Sequence, residues 1–244
     1  TLAAADEAIA SLKRHGTGFA ALIVCPIFAN EGLPRLPAGF MRRLAELVHA
    51  AGGLLIADEV QSGYGRTGAW WSYAADDYAP DIVVSGKPMG NGLPLAATAA
   101  SRDCVEAFRA ATGYFNTFAS TPLQAAVGMA VIDEIERLEL CRNAAETGAW
   151  LLQGLRRVCA DHPRVGEVRG RGLFLGVEMV TDRETRTPDK ATARQLANAM
   201  KDAGFLLSCA GAHDNVIKIR PPLVFSQREA RSTVDALADC LTRL

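Results

Sequence analysis

The chain has 244 residues, 49% of them hydrophobic and 22% charged, which suits one large domain or two of ordinary size. Its net charge of −1 gives no basic surface for nucleic acid or an anionic membrane, and no apolar run is long enough to span a bilayer. The six cysteines form no Cys-x-x-Cys pair and the four histidines are scattered, so we expect no metal site, no disulfides and a reducing, cytoplasmic setting.

The first half of the chain alternates predicted helices with short apolar strands. Helical spacing of apolar residues predicts helices over 2–14 and 41–52. Continuous apolar runs predict buried strands over 19–25, 54–58 and 81–85. Because alternating strands and helices require crossover connections, the pattern predicts an α/β fold with a mostly parallel sheet and helices on both faces.

The second half has a different pattern, which begins after Pro122. It predicts a smaller α+β domain, and we place the boundary near 135, so that the domains are 1–135 and 136–244. The predicted elements are two helices over 123–160, a strand pair over 165–180, a helix over 190–204, strands over 204–208 and 216–220, and a closing helix over 227–241.

Two charged side chains follow neighbouring predicted strands. Asp58 ends the strand LLIAD, and Lys87 follows the strand DIVVS within the glycine-rich stretch SGKPMGNGLP. Ligands of open parallel sheets bind beyond the carboxyl ends of the strands. Glycine at position 86 supplies a positive φ or room for a ligand. Viewed alone, Asp58 and Lys87 are each explained equally well as charged side chains of a solvated loop.

Together, the lysine and the carboxylate suit one chemistry. Lysine forms a Schiff base with an aldehyde cofactor, and an aspartate pairs with that cofactor's pyridinium nitrogen. A carboxylate beside the ring raises the pKa of its nitrogen and keeps the ring electron-withdrawing. The lysine must lose its proton to attack, which favours burial or a neighbouring positive charge.

A second motif, GYGRTG at residues 63–68, matches the glycine pattern of dinucleotide-binding folds. Such a fold needs the first glycine at the turn from strand to helix and an apolar helix after the last. Here DEVQS separates the strand from the glycines, and AWWSYAADD follows without helical periodicity. A nicotinamide-dependent oxidoreductase is therefore a distant alternative.

The stretches LLIADEVQSGYGRTGAW and PDIVVSGKPMGNGLPLAA resemble the signature of the class III (ω-type) pyridoxal-phosphate-dependent aminotransferases, which have fold type I. Weaker matches continue through YFNTFASTPLQAA and NVIKIRPPLVF, so the resemblance covers nearly the whole chain. It implies that 1–135 is the C-terminal part of the large cofactor-binding domain and 136–244 the small domain. It also implies an enzyme that moves an amino group from an amine or amino acid to a 2-oxo acid or aldehyde.

The resemblance assigns roles to individual residues. Lys87 would carry the cofactor as a Schiff base and transfer the substrate proton, and Asp58 would pair with the pyridine nitrogen. Val60 would pack on one face of the ring, and Gln61 would hydrogen-bond near its phenolic oxygen. Thr117 would bind the phosphate of the cofactor in a neighbouring subunit, which implies a homodimer or a higher homo-oligomer. Glu59 and Arg66 also match the motif and are expected to support it.

The chain departs from the family pattern near its predicted substrate site. Many members have an arginine for the substrate carboxylate where this chain has Lys218, and here Arg220 follows on the same face of the strand. We take both as candidate substrate-binding residues, and a solvated strand edge explains them equally well. The Lys-Ile-Arg-Pro-Pro variant is similar to a subgroup that includes phospho-lyases of phosphorylated amino alcohols, so phosphate elimination is the second hypothesis.

The resemblance also concerns what precedes Thr1. Family members have upstream of this position a glycine- and serine-rich phosphate site, an aromatic residue that stacks on the cofactor and a substrate-side segment. We therefore expect this chain alone to retain the cofactor weakly or not at all and to show little activity. A catalytically silent structural module is the third hypothesis.

Overall fold

A computed structural model describes residues 1–119 and 121–244. The chain divides into two compact units. Unit 1 comprises Thr1–Pro26, Leu36–Tyr64 and Trp71–Arg137, and unit 2 comprises Ile27–Arg35, Gly65–Trp70 and Leu138–Leu244. The domain boundary near 135 stays a prediction, and unit 2 takes in two short segments of the first half that a single boundary would not assign to it.

Unit 1 is built on a four-stranded sheet with the order β1-β2-β3-β4. Strands β1 (Ala21–Val24), β2 (Leu54–Asp58) and β3 (Ile82–Ser85) run parallel, and β4 (Ala97–Ala100) pairs antiparallel with β3. The predicted α/β class with a mostly parallel sheet is therefore confirmed. The helices of this unit are α1 (Leu2–Arg14), α2 (Phe40–Ala50), α3 (Arg102–Ala111) and α4 (Pro122–Arg137).

Helix α2 shows how the sequence builds this layer. It buries Met41, Leu44, Ala45 and Val48, which recur every three or four residues and so share one face. Two of them, Ala45 and Val48, form an apolar cluster with Leu55 of β2. This packing holds the strand that ends at Asp58.

Unit 2 is built on an antiparallel sheet with the order β5-β6-β9-β8, with the short β7 paired to β6. Leucine, isoleucine, valine and methionine side chains of β5, β6 and β9 pack with those of three helices in one buried core. The strands are β5 (Val165–Arg171), β6 (Phe174–Asp182), β7 (Thr187–Pro188), β8 (Ser208–Ala210) and β9 (Val216–Ile219), and the helices are α5 (Leu140–Cys159), α6 (Lys190–Asp202) and α7 (Gln227–Leu241).

Four elements differ from the predicted ones, and one of them is the two-residue strand β7, which had no predicted counterpart. The strand predicted over 204–208 is wrong, because β8 is Ser208–Ala210 and the apolar residues before it are not in a strand. Strand β4 and helix α3 had no predicted counterpart. Within the described ranges, no helix is both long enough and apolar enough to cross a membrane.

Candidate active site

Parallel pairing of β2 and β3 places Asp58 and Lys87 at the same edge of one sheet. Asp58 is in register with Val84, and the next backbone amide, that of Glu59, donates to the Val84 carbonyl at 2.9 Å. Lys87 follows the end of β3 by two residues. Both side chains therefore follow the carboxyl ends of adjacent strands, which is where open parallel sheets bind their ligands.

Asp58 is half-buried and its carboxylate is already oriented by the backbone. One oxygen, Oδ1, accepts a hydrogen bond of 3.0 Å from the amide of Val60. This local bond fixes the carboxylate in the turn after β2. The other oxygen, Oδ2, makes no hydrogen bond to any of the residues the structure describes, so it offers a free acceptor at the sheet edge.

Lys87 opens a short 3-10 turn, Lys87–Gly90, in which the amide of Met89 donates to the Gly86 carbonyl at 3.0 Å. Lys87 itself adopts φ +34°, in the left-handed region that non-glycine residues rarely occupy. Its side chain is exposed, so the described residues do not bury the amine, although burial would help the lysine to lose its proton. Gly86 is extended at φ −174°, so of the two roles considered for glycine here, a positive φ or room for a ligand, it does not take the first.

Val60 lies beside the lysine turn. A Cβ placed on Gly86 would stand 3.9 Å from the Cγ1 of Val60, an ordinary contact distance. The two loops that follow β2 and β3 therefore touch through Val60. Gln61 is half-buried in the first of these loops, whereas Thr117 is exposed in the segment before α4. The structure brings Asp58, Val60 and the lysine turn together, and no contact of Thr117 with them is seen.

Glu59 has a larger structural role than its sequence context indicates. It is 0% exposed, and its carboxylate accepts hydrogen bonds from the Ser62 hydroxyl at 2.6 Å and from the Tyr73 amide at 2.8 Å. These bonds join the beginning and the end of the DEVQSGYGRTGAWWS stretch. The Asp58 carboxylate takes no part in this network, because its hydrogen bond is to the Val60 amide in the turn after β2.

Arg66 belongs to unit 2 and is fixed by backbone carbonyls. Its Nη1 donates to the carbonyls of Leu173, at 3.2 Å, and Pro221, and its own carbonyl accepts from the Leu173 amide at 3.0 Å. Burial, and secondarily the positive charge of Arg220, lower the pKa of Arg66 to about 10. Arg66 therefore stays charged at neutral pH.

The two candidate substrate residues also lie in unit 2, at the end of β9. Lys218 is half-buried within the strand, in register with Gly176 of β6 and Ser208 of β8. Arg220 is exposed just beyond the strand, with its guanidinium carbon 5.8 Å from the centre of the Phe174 ring. A cation over an aromatic ring is attracted to it and held in one orientation.

No group of three or more histidine, cysteine, aspartate or glutamate residues suited to a metal ion occurs among residues 1–119 and 121–244. The groups that the structure places at the carboxyl ends of β2 and β3 are the Asp58 carboxylate and the Lys87 amine. They fit a planar cofactor with an aldehyde and a ring nitrogen, since Oδ2 of Asp58 makes no hydrogen bond within residues 1–119 and 121–244 and the turn of Lys87 is open to solvent.

Comparison with known proteins gives consistent results. A family model for class III aminotransferases matches residues 2–241. The alanine-glyoxylate aminotransferase 2-like protein of Drosophila melanogaster is 39% identical over 230 residues, which are 93% of this chain and 47% of that protein. The ethanolamine-phosphate phospho-lyase homolog 1 of Caenorhabditis elegans is 39% identical over 210 residues, 84% of this chain and 45% of that protein.

The solved structures include a phospholyase from Arthrobacter in complex with phosphoethanolamine. It is 40% identical, superposes with a TM-score of 0.96, and the match covers 100% of this chain and 58% of that one. The chain thus spans about half the length of the curated relatives it matches.

Proposed function

Because this chain belongs to the class III aminotransferase family, we propose that it carries the catalytic lysine and the ring-pairing carboxylate of a pyridoxal-phosphate-dependent aminotransferase. The family and its fold type I make pyridoxal phosphate the cofactor. The reaction would transfer an amino group from an amine or amino acid to a 2-oxo acid or aldehyde. The observation that carries the proposal is the register of β2 with β3, which sets Asp58 and Lys87 at adjacent strand ends.

The cofactor, when bound, supplies an aldehyde that reacts with amines and a protonated ring that withdraws electrons. Lys87 would attach it covalently through its amine and, once released, would move a proton to and from the substrate's Cα. Asp58 would accept a hydrogen bond from the ring nitrogen through Oδ2, and its negative charge would keep that nitrogen protonated.

Other residues would hold the cofactor in place. Val60 would pack against one face of the ring, which its position beside the lysine turn supports. Gln61 would hydrogen-bond near the phenolic oxygen. Thr117 would bind the phosphate held by a second copy of the protein, so we propose a homodimer or a higher homo-oligomer. Lys218 and Arg220 would bind the anionic group of the substrate.

The experiment is covalent trapping of the cofactor on the protein as its gene encodes it. After incubation with pyridoxal phosphate and reduction with borohydride, we expect the added mass of the cofactor on the peptide containing Lys87, and none in Lys87→Ala. In Asp58→Asn we expect the cofactor to be trapped but turnover to fall at least 100-fold, since the ring nitrogen loses its charged partner. Trapping on another lysine, or none on the wild type, would refute the proposal.

A phospho-lyase reaction is the second candidate. It is supported by the 40% identity to the Arthrobacter phospholyase and by Lys218 in place of the arginine that many aminotransferases use. Phosphoethanolamine separates the two reactions. Release of inorganic phosphate without consumption of a 2-oxo acid indicates elimination, and amine-dependent consumption of the 2-oxo acid indicates transamination.

The silent-module hypothesis has its own test. Equilibrium dialysis of the 244-residue chain against pyridoxal phosphate should show weak binding or none, and tight stoichiometric binding would overturn that expectation.

The cytoplasmic location proposed from the cysteines can be checked by fractionation.

A further inference from the structure

Residues 221–225, here called the double-proline segment, connect Arg220 to helix α7. The segment has few regular backbone bonds of its own, since the one within it joins the amide of Phe225 to the Pro222 carbonyl at 3.1 Å. Instead, two side chains from distant parts of unit 2 donate to its carbonyls. Arg66 binds the carbonyl of Pro221, and Asn143 binds those of Leu223, at 2.7 Å, and Phe225, at 3.1 Å.

Arg66 binds the backbone next to both members of the cation–π pair, Arg220 and Phe174. Its guanidinium donates to Leu173, the residue before Phe174, and to Pro221, the residue after Arg220. The ring of Phe174 in turn lies against the Arg220 guanidinium. One side chain thus fixes the backbone on both sides of this cation–π pair.

Burying the Arg66 guanidinium costs folding free energy, so stability alone does not account for an arginine at this position. The guanidinium is largely buried, carries a positive charge near that of Arg220, and has no carboxylate within 4.0 Å among residues 1–119 and 121–244. A buried charge without an ionic partner is destabilising compared with a neutral side chain of similar size. Both bonds come from one guanidinium nitrogen, Nη1, whose two N–H groups reach two carbonyls at once, which an aliphatic side chain of similar size cannot do.

Asn143 completes the arrangement from helix α5. Its Oδ1 accepts from the Thr147 hydroxyl at 3.1 Å, which turns the amide nitrogen towards the two carbonyls. A side-chain amide has two N–H donors, and here both are used on the double-proline segment. The segment is therefore pinned at Pro221, Leu223 and Phe225.

We propose that Arg66 and Asn143 are positioning residues that set the affinity for an anionic substrate by holding the segment next to Arg220 and Lys218. The inference rests on the proposed function, in which those two cations bind the carboxylate or phosphate of the substrate. Arg66 and Asn143 themselves need not touch the substrate. They act by fixing the positions of the Lys218 and Arg220 side chains.

The test compares Asn143→Ala and Arg66→Lys with wild type on two amines, one with a phosphate or carboxylate group and one without any acidic group. Arg66→Lys keeps the charge but ends in a compact ammonium on a shorter side chain, which does not reproduce the planar Nη1 group that bonds both carbonyls. For both variants we expect KM for the amine with the acidic group to rise about tenfold, with kcat within about twofold. KM and kcat for the amine without an acidic group should not change. Hydrogen exchange should accelerate at the backbone amides of residues 223–226, the part of this stretch that follows the two prolines.

Ser226→Ala is the matched control. It removes the capping box of α7, in which the Ser226 hydroxyl and the Glu229 carboxylate bond each other's backbone amides, but leaves the three pinned carbonyls intact. We expect it to lower stability by about as much as Asn143→Ala while leaving KM for both amines unchanged.

Two results would overturn the proposal. One is an equal loss of activity towards both amines, which indicates a purely structural role. The other is an unchanged KM for the anionic amine together with faster exchange in residues 223–226. A wild type without covalently trapped cofactor is a distinct result, because it refutes the proposed function itself.

Discussion

The backbone of Lys87 is the least expected feature at the residue scale. Its position after β3 follows from the sequence, because a lysine behind an apolar strand must lie at the strand's carboxyl end. Its φ of +34° does not follow from the sequence, because glycine, and not lysine, is the residue that adopts a positive φ without strain. Local strain of this kind persists where the surrounding structure imposes it, and it often marks a functional residue.

The strain predicts a difference between two variants that both lack the amine. Lys87→Gly should be more stable than Lys87→Ala by about 1 kcal/mol, because glycine adopts a positive φ without the Cβ clash that alanine retains. Urea unfolding monitored by tryptophan fluorescence measures the difference. Equal stabilities would mean that the residue relaxes to a negative φ in solution.

Glu59 and Asp58 could not be ranked from the sequence. Two consecutive carboxylates at a strand end are equivalent in the sequence. Which of them has the structural role depends on which one hydrogen-bonds to Ser62 and Tyr73. Those partners lie in a loop without regular periodicity, so no sequence pattern reports the contacts.

Glu59→Gln should lower the free energy of unfolding by about 2 kcal/mol, because the buried carboxylate accepts two hydrogen bonds and an amide nitrogen would face one of those donors. Glu46→Gln on the exposed face of α2 is the matched control and should change stability by less than about 0.5 kcal/mol. A similar change in both variants would contradict the structural role assigned to Glu59.

At the element scale, prediction succeeded where apolar periodicity is strong. The parallel strands of unit 1 and the helices α2 and α7 lie close to their predicted places. Strand β4 was missed because Ala97–Ala100 is short and consists of three alanines around Thr98, so it has little of the β-branched and aromatic composition typical of strands. Helix α3 was missed although it is amphipathic, because it has only ten residues and its larger apolar side chains, Val105 and Phe108, are not part of a buried core.

Helix α5 packs against the turn between β5 and β6 through a contact that only glycine permits. A Cβ on Gly148 would lie 2.1 Å from the Gly172 carbonyl oxygen. Gly148→Ala should therefore destabilise the protein by about 2 kcal/mol or more, since overpacking outweighs the roughly 1 kcal/mol that alanine gains in a helix. Gly113→Ala, with no neighbour within 4 Å, should have little effect in the same thermal melts. A stabilised Gly148→Ala would exclude this tight packing.

The start of helix α6 gives a pH-dependent prediction. Burial by itself would raise the pKa of Asp189, but hydrogen bonds from Thr192 and the charge of Arg164 outweigh it and lower the pKa below its usual value. The carboxylate therefore stabilises the fold above the unfolded-state pKa of about 3.9, and this contribution disappears as the pH falls through the lower folded-state pKa.

Asp189→Asn keeps a capping side chain but loses the charge. We expect it to be less stable than wild type by about 1–2 kcal/mol at pH 7, with the difference shrinking below about pH 4. Denaturant unfolding between pH 3 and pH 7 measures it, with the exposed Asp161→Asn as control. A difference that stays constant with pH would show that the ionised carboxylate is not what stabilises α6.

At the scale of the whole molecule, apolar side chains are concentrated on the surface around Thr117. Phe115 and Phe118 are 82% and 83% exposed, and Tyr114 and Leu123 lie nearby in the sequence with more than half of their surface in contact with solvent. Exposed aromatic side chains in this number are typical of protein–protein interfaces. The surface agrees with the oligomer that the role proposed for Thr117 requires.

Phe118→Glu should shift the protein towards the monomer in sedimentation velocity, because a charge cannot be buried in an apolar interface without a partner. Leu206→Glu is the control, since Leu206 is 88% exposed but belongs to unit 2. A protein that remains assembled in Phe118→Glu, or is equally dissociated by both changes, would place the interface elsewhere.

The interleaving of the two units has a consequence for recombination between related genes. The chain passes from one unit to the other after residues 26, 35, 64, 70 and 137. A chimera joined at 137 would inherit unit 2 without its native Gly32, whose carbonyl accepts from Arg169 at 3.0 and 2.9 Å, and without its native Arg66. Crossovers between homologues should be tolerated only when these two short loops travel with the C-terminal half or are already identical in both parents.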